Sequence, residues 1–542
     1  VAAGETGVGQ WPASAQLWSL LSAARMLSGD LLGGYRAALK ALALDPTIPE
    51  ATQNAAQALE VLRQPYRAAL AQLSDPADEA AKLEAAYQAV AAADDEGLLE
   101  DGARGVCLGV FLRLAAVGEA DRRWPFAEIG RALATRGGHP YLFYQLPRVR
   151  SDADRRELLE QHRLSGAEAE RLAAADPVRP APRGPRSRLR VALMSSDLRG
   201  HAVAPFVAPL VDHAADCGVE LYCYSAYPGP ADGFQRHVAE HAAAFRLLPG
   251  ADAQAMARAI AADAPDVLIE VGGSTGDNRF EALAHRLAPA QMSWLGYPHS
   301  VGLSTIDGLV LDPYLAPTEP GLILEQPLLM PKSWVALSPG YFRDDIPLAP
   351  GLPQDRKGRA TFGTAGNPYK YSAATLDAWA QVLAAVPGSR FLFVRPEGAA
   401  PTFRRNVEAH FARHGVEAER LEFAAVRGGH LPYYGEIDVS LDTFPLTGGM
   451  TTCEALWMGV PVVSLAGKAV YERLSHSLLT NAGLGDLSTA SVEAYVARAV
   501  HLAQDRERLR AWRAEGRRTL MTALGDMPAF AREFFSLVTS GL

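Results

Sequence analysis

The chain is poor in cysteine: among 542 residues only Cys107, Cys217, Cys223 and Cys453 carry thiols. They lie in apolar or helical contexts without a Cys-x-x-Cys spacing, which reads as reduced thiols of an intracellular protein rather than disulfides or metal ligands. No uninterrupted apolar run is long enough to cross a bilayer, and the start lacks a basic segment followed by an apolar core, so the cytoplasm is the expected compartment. Blocks of one charge are also missing. The 52 Lys plus Arg and 61 Asp plus Glu are interspersed, for a net charge of -9, which argues against a nucleic-acid surface. There is no His-Glu-x-x-His run and no Asp-rich cation loop, so no metal is expected. No Gly-x-Gly-x-x-Gly opens the first strand–helix unit, which argues against a hydride-transfer cofactor.

What is present is apolar material for a sizeable core, 49% of residues, in a length that suggests about three domains. Residues 1 to about 125 are rich in alanine and leucine at helical spacing. Trp18, Leu21 and Ala24, a turn at Gly29 and Asp30, then Tyr35, Ala38, Leu39 and Leu42 before Asp45 and Pro46 resemble one tetratricopeptide helix pair. Ala51 to Leu62 with Tyr66 to Leu73 makes a candidate second pair, and Glu84 to Ala93 opens a third. Such a stack offers a groove to an extended peptide; the alternative is a helical cap over the domains that follow. Pro177 to Ser187, with four prolines and three arginines, fits neither regular helix nor central sheet and is the clearest linker.

Beyond the linker, Leu189 to Met194, Glu220 to Ser225, Phe245 to Leu248, Val267 to Val271, Gln291 to Leu295 and Gly308 to Leu311 read as strands between helices such as Asp252 to Ala262. A second unit begins near Ala360, with strands at Thr361 to Thr364, Arg390 to Val394, Leu421 to Ala424, Val439 to Leu441 and Val460 to Leu465. Its helices are Ala373 to Val386, Pro401 to Arg413 and a helical end over Val492 to Phe535. The expected division is a helical and connecting domain (1–176), a linker (177–187) and two α/β domains (188–350 and 351–542). Two such units in tandem form a cleft, a common home for an enzyme that joins two substrates.

The stretch Gly448 to Gly467 organises the second unit. Gly448 and Gly449 run into Thr451 and Thr452 at the start of an apolar helical segment, flanked by strand-like Ile437 to Leu441 and Val460 to Val463. A glycine loop entering a helix start offers backbone N–H groups and two hydroxyls to an anion, as a diphosphate cradle would. The plainer alternative is a tight structural turn. Ser195 to His201 follow the first strand of the first unit, where a neutral imidazole can accept a hydroxyl proton or hydrogen-bond a donor sugar. A satisfied surface histidine is the alternative. Asn367 to Lys370 hold the matching place in the second unit; Lys370 can neutralise a leaving diphosphate, or simply flank a helix. Ala425, Arg427 and His430 follow another strand: the Ala425 backbone can read a base edge, and the two side chains can stack on a base or touch phosphates. Glu454 can accept bonds from ribose hydroxyls. Trp294, Gly296, Tyr297 and Pro298 form a rigid turn that shapes the acceptor side or packs the cleft wall.

On these segments, residues 188 to 535 resemble the catalytic region of the family that includes protein O-GlcNAc transferases and the SPINDLY-type protein O-fucosyltransferases, glycosyltransferase family 41. DVSLDTFP and TTCEALWMGVPVV, within Asp438 to Gly467, look especially close to SPINDLY and its bacterial relatives. The resemblance implies tetratricopeptide repeats followed by two Rossmann-like domains in the GT-B arrangement. It implies inverting, metal-independent transfer of a sugar from a nucleotide diphosphate donor to Ser or Thr of a protein, with UDP-GlcNAc favoured and GDP-fucose or another hexose as the alternative. Residue by residue, His201 matches the active-site histidine, Lys370 the lysine facing the diphosphate, Thr451 and Thr452 the phosphate loop, Glu454 the ribose contact, and Arg427 and His430 the base-binding segment.

Three departures stand out. Met450 replaces an expected hydroxyl, Gly272 to Thr275 reads GGST where a histidine-containing pattern is usual, and Tyr471 to Leu474 replaces a smaller basic pattern. They leave open an altered donor or a specialised acceptor; the degenerate repeat and the hydroxyl missing at Met450 leave open a non-catalytic protein-binding scaffold, and the GT-B resemblance a small-molecule, lipid or polysaccharide acceptor.

Overall fold

In the computed structural model, residues 1–63, 75–135, 139–182, 184, 186–272, 278–343 and 345–540 are described. The chain begins as helices and becomes two parallel sheets. Helices Ala15–Leu27 and Leu31–Leu44 form the expected pair, closed by Asp30, whose side chain accepts from the Gly33 N–H at 2.9 Å. Pro49–Arg63 and Pro76–Asp95 follow. The expected helix at Tyr66 to Leu73 lies outside the described residues. Asp101–Arg113, Val117–Arg123, Phe126–Thr135 and the 24-residue Asp152–Ala175 complete the helical part, with a 3-10 segment at His139–Arg148.

The first sheet comprises β1 (Leu189–Met194), β2 (Val219–Ser225), β3 (Ala244–Leu247), β4 (Val267–Glu270), β5 (Ala290–Ser293), β6 (Gly308–Leu311) and β7 (Gln326–Leu329), in the order β3-β2-β1-β4-β5-β6-β7. The second comprises β8 (Thr361–Thr364), β9 (Arg390–Val394), β10 (Leu421–Ala424), β11 (Val439–Leu441), β12 (Val462–Leu465) and β13 (Ser488–Thr489), in the order β10-β9-β8-β11-β12-β13. All pairings are parallel. Parallel strands are covered on both faces; β4, β6 and β8 are buried at every residue. Each sheet winds away from its first strand in both directions. The switch points lie at the carboxyl ends of β1 and β8, where open α/β sheets bind ligands.

The architecture is a helical region followed by two Rossmann-like units in a GT-B arrangement, as expected. The helices cap the units as well as stacking on each other. Helix Asp152–Ala175 lies against the first unit so closely that a Cβ on Gly166 would sit 1.9 Å from the Gly302 carbonyl oxygen. His162 on this helix donates from Nδ1 to the Leu158 carbonyl at 2.7 Å and accepts from the Tyr297 hydroxyl at 2.5 Å. Burial lowers its pKa to about 4, so it stays neutral. Toward the second unit, Thr402 donates from its amide and its hydroxyl to Glu84 at 2.6 and 2.7 Å. The last helix, Met527–Thr539, returns to the first unit, where Phe534 packs against Trp294 with ring centroids 4.7 Å apart.

Candidate active site

A cavity of about 240 Å³ lies between the two switch points. His201, Leu295, Gly296, Pro298, Trp334 and Val335 line it from the first unit; Lys370, Arg395, Leu446, Gly449, Met450 and Thr451 from the second; Phe143 from the helical region. His201 and Lys370, 169 positions apart in sequence, therefore share one space.

Lys370 follows β8 on a short 3-10 turn whose Asn367 caps Tyr369. Its Nζ donates to the Thr447 carbonyl at 3.0 Å. Burial lowers its pKa to about 8, against the opposing pull of the Asp442 carboxylate. Asp442, at the end of β11, is held by Gly448 N–H at 2.9 Å, Thr443 N–H at 2.9 Å and Ser464 Oγ at 2.6 Å; burial raises its pKa. These bonds fix the glycine loop that leads into helix Met450–Trp457, whose N-cap, Gly449, supplies no side-chain cap bond. The first N–H groups of that helix therefore have no capping side chain, beside a lysine and an apolar wall, an arrangement suited to a diphosphate.

The two threonines differ. Thr451 lines the cavity, whereas Thr452 is buried and shares a 2.7 Å hydrogen bond with Ser475 Oγ, which donates to the Gly448 carbonyl at 2.9 Å. Thr452 ties the loop down from behind. Glu454, one turn on, accepts from the Tyr341 hydroxyl at 2.6 Å and faces His430 Nε2 at 3.0 Å, so both carboxylate oxygens have partners. Ala425 sits half-buried just past β10. Arg427 turns toward the helical region and donates to Glu79 at 2.8 Å. Glu79 also accepts from Arg113 at 2.9 Å, and Arg113 donates to Glu397 at 2.7 Å, with Arg395 at 3.3 Å from Glu397. This mostly buried chain of charges runs from the Arg427 segment, through two helices of the helical region, to Arg395 in the cavity wall. It holds the Glu397 carboxyl down at about 2.

His201 is held more lightly. Its ring is about a third exposed, and Asp197 Oδ1 lies 3.8 Å from Nδ1, beyond hydrogen-bonding distance. The Val203 N–H points at Nδ1 from 3.4 Å, which leaves the proton of the neutral ring on Nε2. Burial lowers its pKa, partly offset by Asp197.

The Trp294 to Pro298 turn packs the cleft wall: Leu295, Gly296 and Pro298 face the cavity, while Trp294 and Tyr297 are buried behind. A Cβ on Gly296 would sit 2.1 Å from the Val271 carbonyl oxygen, so only glycine fits there. Of the departures, Met450 and Leu474 line the cavity, whereas Glu472 braces the helical region through Arg155 at 2.9 Å. Gly272 is described; residues 273–275 lie outside the described residues. Arg395, Phe143 and Trp334 line the cavity without a motif in the sequence to mark them. Arg395 carried a usable signal, being the first residue after β9.

Among the described residues no helix is long and apolar enough to cross a membrane. The family described as Glycosyl transferase family 41 matches residues 176–334 and 351–531, more than half of the chain. A SPINDLY protein of Oryza sativa subsp. japonica, described as a probable UDP-N-acetylglucosamine–peptide N-acetylglucosaminyltransferase, is 33% identical over 328 residues, 58% of this chain and 35% of that protein. Its counterpart in Eustoma exaltatum subsp. russellianum is 31% identical over 365 residues, 66% of this chain and 39% of that protein. The matches thus span less than half the length of these curated relatives. A mutant of Thermobaculum terrenum O-GlcNAc transferase is similar along nearly its whole length: TM-score 0.71, 25% identity, 98% of this chain and 99% of that one.

Proposed function

The chain belongs to glycosyl transferase family 41, and from that premise we propose that it transfers GlcNAc from UDP-GlcNAc to Ser or Thr of a protein, inverting the anomeric carbon and releasing UDP. The observation that carries this reading is the shared cavity of His201, Lys370, Thr451 and the uncapped helix start. In it the acceptor oxygen attacks the anomeric carbon as the bond to the diphosphate breaks. The protonated Lys370 ammonium and the N–H groups at Met450 and Thr451 take up the charge that develops on the leaving group, so no metal is needed for that task. With its proton on Nε2, His201 is suited to donating a hydrogen bond to the bound donor, a positioning role. Arg427 and His430, with the Ala425 backbone, form the base-binding segment, and Glu454 takes the ribose; each has a protein partner that the nucleotide displaces or joins. Thr452 supports the phosphate loop through Ser475.

The donor identity is supported by the names of the plant relatives and the Thermobaculum enzyme. Similarity to the latter supports a bacterial member of the family. Met450 in the cavity wall favours a second reading, an altered donor such as GDP-fucose or another hexose. The low cysteine content without a Cys-x-x-Cys spacing supports a cytoplasmic location, and the helical region supports a protein acceptor bound along it. The boundaries we propose are 1–176, 177–187, 188–350 and 351–542. The test is to incubate the purified chain with UDP-GlcNAc and, separately, GDP-fucose together with Ser/Thr-containing proteins and to follow labelling. Labelling by UDP-GlcNAc supports the main reading, labelling by GDP-fucose the second, and binding of neither donor replaces both with a scaffold.

A further inference from the structure

Outside the cavity, helices Ala204–His213 and Gly233–His241 bring Asp212, His237 and His241 together, each offering one ligand atom within 4.8 Å of the others. The two histidines are one helical turn apart and so share a face. Their ring centroids are 4.2 Å apart. His241 donates from Nδ1 to the His237 carbonyl at 2.9 Å, which leaves the Nε2 lone pair available. A ring fixed through one nitrogen and open at the other is the arrangement seen around metal-bound histidines. His237 directs Nε2 at Asp212 Oδ1, 2.6 Å away. Among the described residues no lysine or arginine pairs with Asp212, whose ion-pair partner is His237. The similar group of Asp377, His410 and His414 differs here, since Arg413 competes for the same carboxylate oxygen at 4.0 Å.

We propose that Asp212, His237 and His241 bind a divalent transition metal of the zinc class, with water completing a tetrahedral shell, as a structural clamp between the two helices. Two imidazoles and a carboxylate suit zinc; for ligand bonds of about 2.0–2.2 Å the Asp212–His237 pair opens to admit the ion and the three ligand atoms draw in around it. The clamp has a route to the cavity that does not involve the metal in transfer. Helix Ala204–His213 starts just after His201, and Asp232, the N-cap of the other helix, accepts from the Gly200 N–H at 2.5 Å. The helix pair therefore brackets the His201 loop from both sides.

The test is calorimetric titration of zinc chloride into the metal-stripped full chain, paired with thermal melts. We expect one equivalent bound with micromolar or tighter affinity, a higher Tm with zinc, and slower amide exchange over residues 197–203. His241→Ala and Asp212→Asn each weaken binding at least tenfold, while His414→Ala leaves it unchanged. His241 is exposed, so its substitution does not threaten folding. Absence of stoichiometric binding, or equal affinity in the wild type and both site variants, overturns the proposal.

Discussion

The loops that follow β1 and β8 occupy equivalent positions in two sheets of the same design, yet they are built differently. Around Lys370, Asp442, Ser464, Thr452 and Ser475 form a buried network that defines the glycine loop. The helical region braces the neighbouring loops through Glu79, Arg113 and Glu397. Around His201 there is one long backbone contact and a carboxylate beyond hydrogen-bonding reach. The second unit is thus preorganised for a charged ligand before it arrives, at the cost of a lysine held against its preferred protonation, whereas the first supplies a lightly held partner that can adjust to it. Catalysis by electrostatic preorganisation needs one rigid half; admitting and releasing a substrate needs the other to yield.

Removing the brace should have the largest effect. Glu79→Ala leaves Arg427 and Arg113 with a missing buried partner, and stability measured by denaturant melts should fall by about 3–5 kcal/mol. An Ala variant as stable as the wild type would show that the helical region does not hold the second unit rigid. Next is Lys370→Met, for which transfer should fall by about 10²–10³ while the unliganded protein stays folded and melts no lower, because a buried charge has been removed. Unchanged turnover would remove Lys370 from the reaction.

The pH dependence sharpens the same point. With a folded-state pKa of about 8 against the ordinary 10.5, Lys370 leaves the unfolded chain binding more protons between those values. The cost of its charge is thus fully present below pH 8 and disappears as pH rises to 10.5. The melting-temperature gap between Lys370→Met and the wild type should narrow over that window. In the same window kcat/KM, which reports the free enzyme, should decline as the ammonium is lost. A flat profile in both would contradict the assignment. His201→Ala should cost less, roughly 10- to 100-fold in transfer, the cost of leaving a polar group of the bound donor sugar without its hydrogen bond, with little change in stability. Tyr341→Phe should be smallest: it removes one of two bonds to Glu454 and should cost about 1 kcal/mol in nucleotide affinity.

Much of this was legible in the sequence because parallel strands are buried on both faces and so announce themselves as apolar runs. Two edge strands did not: β13, Ser488–Thr489, is only two residues long. β7, Gln326–Leu329, lies at a sheet edge, is mostly exposed and contains Pro327, so it lacked that signal. The helical end from Val492 to Phe535 resolves into three helices, broken at Asp505 and Asp526, whose side chains cap the next helix. Those two aspartates were a readable cue. In the site, His201 and Lys370 were findable because each follows the first strand of its unit. Thr451 and Thr452 looked alike, and only the three-dimensional position of Ser475 separates them. Glu79 gave no sign of its link to Arg427, 348 positions away, since pattern along a chain carries no information on contacts between domains.

The most direct test of a preorganised second unit is calorimetric titration of UDP into the wild type, Lys370→Met and His201→Ala. UDP should bind the wild type, Lys370→Met should weaken that binding at least tenfold, and His201→Ala should change it by no more than a few-fold. UDP binding that is absent, or that depends on His201 as strongly as on Lys370, would contradict that preorganisation.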